Sequence, residues 1–235
     1  MLIQYTIRRK TALAHATPAR EPKHILGGDT RAQSWLSGEK TSWSVVVHGY
    51  KENKGEPISG ISKGITTILN GPDSNAADRF PMMYFCGLHP ESSDATKQAI
   101  SLMRSLLAQL LKRIVDQQLV VDLKDISDYH LRNAMKGEID GLLYVFEGVI
   151  ERLPEESIIH CVVDNIEQYY IPGLQQSCGA GLVIPTLKRA PTSKKVFKKL
   201  VFTTGPDCSI FDPWSKHYFV VPWNEIHGLD VDRPE

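Results

Sequence analysis

The chain has 235 residues, with 27 basic and 27 acidic side chains and no formal net charge at neutral pH. Hydrophobic residues make up 42% and charged residues 23%, the balance of a chain able to bury a sizeable core. Zero net charge gives no general reason to expect nucleic acid or an anionic membrane as partner, and no run reaches the roughly 18–20 apolar residues that a membrane span needs.

Residues 1–30 carry Pro18, Pro22, Gly27 and Gly28 without a hydrophobic period, and are expected to form a flexible arm. Residues 31–235 are expected to form a single α/β domain. "SWSVVVHGY" is a continuous β-branched run ending at Gly49, the pattern of a buried parallel strand. "SKGITTILNG" predicts a short helix capped by Ser59 or Ser62 and stopped by Gly71-Pro72. A second apolar strand is expected over Phe80 to Leu88.

The strongest helical signal is "SSDATKQAISLMRSLLAQLLKRIVDQQ". Ile100, Met103, Leu107, Leu110, Leu111 and Ile114 recur at three- and four-residue steps, and Leu102 and Leu106 widen the apolar face. "HLRNAMKGEIDGLLYVFEGVIERLP" supplies a further helical region that ends before Pro154. A third strand follows over Ile158 to Val163, with Asp164 at its carboxyl end. A short helix near Val183 to Lys188 comes next, then a fourth strand over Leu200 to Thr204 and a fifth over Tyr218 to Val221. Continuously apolar strands alternating with helices predict a mostly parallel five-stranded sheet covered by helices on both faces. Val45–Val47 and Ile159–Val163 are expected to be adjacent central strands, their carboxyl ends sharing one cleft with the Gly49–Gly60 loop.

None of the four cysteines forms a C-x-x-C pair, and Cys86 and Cys161 lie in apolar runs. They read as reduced core residues, which favours a reducing, cytoplasmic setting.

Three strand ends carry candidate chemistry, because ligands of open parallel sheets bind at the carboxyl ends of strands. The first is the loop after Gly49. A phosphate loop, G-x-x-x-x-G-K-[ST], turns backbone N–H groups toward phosphate oxygens, adds a lysine for the outer phosphates and a hydroxyl for magnesium. Gly55 and Gly60 have that spacing, but Ile61 and Ser62 follow, and Lys63 comes two residues late with Gly64 behind it. Two residues of helix rotate a side chain by about 200°, so Lys63 cannot take the missing place. The second is "IIHCVVDNIEQ", where Asp164 ends a buried strand and Glu167 follows three places on; such a carboxylate orients magnesium or, equally, caps the next turn. The third is "KLVFTTGPD", whose Thr203 and Thr204 end the next strand.

Taken in order, the degenerate loop, "MMYFCGLHP", "ISLMRSLLAQLLKR", "CVVDNIEQ" and "LVFTTGP" resemble the NACHT-type domain of signal-transducing P-loop NTPases, most closely the divergent versions found in filamentous fungal proteins. The resemblance spans Trp35 to Val221. It implies a three-layer P-loop-NTPase-like fold that stops after its core. It makes Asp164 the magnesium-orienting acid and Glu167 the second acid of a Walker B strand. Gly55, Gly60, Ser62, Lys63 and Thr204 would be the nucleotide-binding set, with Mg-ATP or Mg-GTP as ligand. The chain departs from the family at Gln168, where a further acid is usual, and at Gly205, where an arginine is usual.

With the loop lysine and its hydroxyl neighbour counted as missing too, four phosphate-site contacts at about 1.5–3 kcal/mol each are gone, comparable with the whole of a micromolar site at about 8 kcal/mol. The expectation is therefore a pseudo-NTPase with little or no hydrolysis, whose partners are other proteins or further domains. The alternatives are a genuine nucleoside triphosphatase switch with magnesium on Asp164, and a truncated paralogue without independent function.

Overall fold

The computed structural model describes residues 42–48, 76, 78–89, 95–169, 180–188, 197–203 and 219–222, together with Ile58, Ser62, Ile65, Thr66 and Leu69. The arm expected over residues 1–30 lies outside them.

The described chain is α/β. Five strands, β1 (Trp43–His48), β2 (Arg79–Phe85), β3 (Ile158–Asp164), β4 (Phe197–Thr203) and β5 (Phe219–Pro222), form one sheet in the order β2-β3-β4-β1-β5. Every pairing is parallel. This corrects the expected adjacency of Val45–Val47 and Ile159–Val163. β4 runs between them, pairing Val45 with Val201 on one side and Val162 with Val201 on the other. Strands that are apolar throughout carry no alternation that distinguishes one neighbour from another, so pattern alone does not rank them within the sheet.

Four helices are described: α1 (Ala95–Asp116), α2 (Asp128–Lys136), α3 (Ile139–Glu151) and α4 (Ala180–Lys188). The apolar face of α1 buries Ala99, Leu102, Met103, Leu106, Leu110 and Ile114, while Leu111, expected on that face, is exposed. The sequence "HLRNAMKGEIDGLLYVFEGVIERLP" forms two helices. Gly137, at φ 83°, ends α2 in the left-handed conformation. Its N–H donates to the Ala134 carbonyl at 3.0 Å, and the Glu138 N–H reaches back to Asn133 at 2.9 Å. This paired closure satisfies orphan carbonyls at a helix end, and glycine adopts the backbone without a Cβ penalty. Gly141 then lets α3 approach α2: a Cβ there would sit 2.5 Å from the Ala134 backbone nitrogen.

Side chains alternate along β2 and β3, so the sheet has two distinct faces. Phe80, Met82 and Tyr84 of β2 and Ile159, Cys161 and Val163 of β3 join one core cluster with α1, α3 and α4. Ile58, Ile65, Leu69 and Val162 are buried outside that cluster. Ser62, Ile65, Thr66 and Leu69 are helical and follow the i, i+3, i+4, i+7 spacing of one helix face. The Thr66 hydroxyl meets the Met83 sulfur at 3.1 Å, and Met83 alternates with Met82 and Tyr84. That helical segment therefore touches the sheet on the face opposite α1.

Candidate functional site

β3 positions the site. All seven of its residues are buried, an ordinary outcome for Ile158, Ile159, Val162 and Val163 and an unusual one for the terminal Asp164 at 0% exposure. A carboxylate is rarely enclosed without a donor, because losing water costs several kcal/mol, of order 3–5, unless hydrogen bonds replace it. Ser62 supplies one: its Oγ donates to Asp164 Oδ1 at 2.7 Å, across 102 residues of sequence. Ser62 is itself fully buried and already has helical geometry.

Two of the expected site residues, Ser62 and Asp164, are thus brought together at the carboxyl end of β3. Gly55, Gly60, Lys63 and Thr204 lie outside the described residues, as do the side chains of Glu167 and Gln168. Thr203 ends β4, paired with Val47 of β1. The residue two places after Gly60, where the phosphate-loop pattern has a hydroxyl, is Ser62, and its hydroxyl stands on the aspartate.

Beyond Asp164 the chain turns sharply. Asn165 is buried with φ 55°, a left-handed backbone that asparagine tolerates better than most residues. A 3-10 helix, Ile166–Tyr169, follows. Its last residue returns to the sheet: the Tyr169 and Tyr84 hydroxyls are 2.8 Å apart, and Tyr84 donates to Ser101 Oγ of α1 at 3.1 Å. His89 stacks on the Tyr84 ring with centroids 4.8 Å apart. Burial raises both phenols above their ordinary value of about 10, and for Tyr169 the neighbouring Cys86 adds to the effect. The residues between Asn165 and Tyr169 are therefore tethered at each end, by Ser62–Asp164 and by Tyr169–Tyr84. Sequence reasoning did not single out either tyrosine; Tyr84 lay in the expected second strand and Tyr169 had no assigned part.

Cys86 and Cys161 are buried and are not joined in a disulfide. Among the described residues no helix is long and apolar enough to cross a membrane, and no group of three or more His, Cys, Asp or Glu side chains gathers to hold a metal. A hydroxyl and a carboxylate suit magnesium, a hard cation that takes oxygen donors and commonly fills its remaining positions with phosphate oxygens and water. Comparison with protein-family profiles and with curated proteins found no match to the chain.

Proposed function

We propose that the chain is a P-loop-NTPase-like domain of NACHT type that keeps the hydroxyl and carboxylate half of a magnesium–nucleotide site and lacks its cationic half. Turnover is then slow or nil, and the domain serves in association with other proteins or with further domains. The observation that carries this reading is the buried Ser62–Asp164 hydrogen bond of 2.7 Å. It joins the helix after the candidate loop to the acid at the end of a central parallel strand, where such a site would bind its metal. A three-layer sandwich, with the helical residues Ser62, Ile65, Thr66 and Leu69 opposite α1, is the arrangement this reading requires.

The energetic balance differs from the sequence expectation. With the hydroxyl present, the deficit is the lysine replaced by Ile61, the acid replaced by Gln168 and the arginine replaced by Gly205. Three contacts at about 1.5–3 kcal/mol each still remove most of the roughly 8 kcal/mol of a micromolar site. What remains, about 3.5 kcal/mol or less, corresponds to affinity at the millimolar level or weaker.

The Ser62–Asp164 pair also favours a second reading, a nucleotide-binding switch with magnesium on Asp164. Equilibrium binding of labelled ATP and GTP with magnesium, measured beside phosphate release, separates the two. The pseudoenzyme reading expects no release above background, with a Kd in the millimolar range that Asp164→Ala weakens further. Micromolar binding abolished by Asp164→Ala would establish the switch. Multiple turnovers would overturn the pseudoenzyme reading outright.

A further inference from the structure

β2 lies at one edge of the described sheet, and edge strands present unpaired backbone groups that invite another strand. In β2 these groups are answered by side chains of α1. Gln109 Oε1 accepts from the Met83 N–H at 3.0 Å, while its Nε2 donates to the Met83 carbonyl at 2.9 Å. The amide thus repeats the paired donor and acceptor of a neighbouring strand residue. One helical turn further along α1, Arg113 Nε donates to the Arg79 carbonyl at 3.2 Å. Arg113 Nη2 and Gln117 Nε2 both reach the Ala76 carbonyl at 3.3 Å. By alternation, Arg79, Pro81 and Met83 turn their backbone groups outward, and Pro81 has no N–H to offer. Gln109 is held in place by Ser105, whose carbonyl and hydroxyl both lie 3.2 Å from Nε2.

We propose that Gln109 is an edge guard: it occupies the Met83 backbone so that a second copy of this chain cannot pair with β2. The strand it protects, "RFPMMYF", is apolar and aromatic, and the identical edge on another molecule is its natural partner about a two-fold axis. The proposal needs no nucleotide and stands apart from the pseudoenzyme reading.

The test is sedimentation of the full chain over about a hundredfold concentration range, comparing the parent with Gln109→Leu, which keeps helix propensity and removes both amide contacts. The variant is expected to gain mass with concentration where the parent does not. Adding Met83→Pro, which deletes the outward N–H, is expected to restore the parent's behaviour. Hydrogen exchange at the Met83 amide provides a second reading that does not depend on the proline variant folding. In Gln109→Leu it should quicken at low concentration and slow again as the sample is concentrated. A Gln109→Leu chain with the parent's mass at every concentration, or association with no re-protection of Met83, overturns the proposal.

Discussion

The two faces of β3 differ although the strand is buried throughout. On one, Ile159, Cys161 and Val163 lie in a cluster with Leu106 of α1, Phe146 and Val149 of α3, and Val183 and Ile184 of α4. On the other, His160 and Asp164 alternate with Ile158 and Val162, and Ser62 comes down onto the aspartate. The first face gains stability simply in proportion to apolar area removed from water. The second encloses groups whose desolvation must be offset by hydrogen bonds, so an apolar residue at 164 would serve folding at least as well. The difference places apolar packing on the α1 face and a buried polar pair on the Ser62 face, and it can be broken from either side.

The largest effect should come from the apolar face. Phe146 is 1% exposed in the main cluster, and truncating it leaves a cavity that packed helices only partly fill. Phe146→Ala should lower unfolding free energy by about 3–5 kcal/mol. The midpoint of urea denaturation should fall while its slope stays constant. Whatever nucleotide affinity the parent has should persist in the folded fraction, because the cavity opens away from Asp164. Loss of binding in step with stability would show that the two faces are not separable.

On the other face, Ser62→Ala removes one donor from an enclosed carboxylate and should cost about 1.5–3 kcal/mol, the range for hydrogen bonds to charged groups. Asp164→Asn supplies the other single change, and the double variant closes the cycle. A coupling of about 0.5–3 kcal/mol marks the pair as one unit. Strict additivity would mean that the 2.7 Å contact carries no energy of its own.

These effects also explain what was legible in the sequence. The strands and α1 were readable because burial on a parallel sheet writes long apolar runs and a 3.6-residue stripe, and Asp164 stood out as the polar end of such a run. Strand order was not, since Val45–Val47 and Leu200–Thr203 are equally apolar. The α2–α3 break depended on one glycine, Gly137, inside an otherwise continuous helical pattern. Ser62 stands at a definite spacing from Gly55, but its pairing with Asp164 spans 102 residues and appears only in the folded chain. Gln109 and the Tyr84–Tyr169 pair left no signal at all: each acts through a partner 26 or 85 residues away, which only the folded chain supplies.

The smallest effect tests the tether beyond Asp164, where the two faces meet. Tyr169→Phe deletes one partner of the 2.8 Å hydroxyl pair and should cost about 0.5–1.5 kcal/mol near neutral pH. The pH dependence is the sharper readout. Both phenols have folded values raised above about 10, so above that pH the unfolded chain releases protons that the folded chain retains. The unfolded state then binds fewer protons, and stability declines as pH rises. The contribution is complete below about pH 10 and is lost progressively above it. Urea denaturation from pH 8 to 11 should show this decline in the parent, a shallower one in Tyr169→Phe, and the shallowest in the Tyr84→Phe, Tyr169→Phe double variant. Equal slopes in all three would mean that the phenols ionise as freely in the folded chain as in the unfolded one, and that the Tyr84–Tyr169 pair does not resist deprotonation.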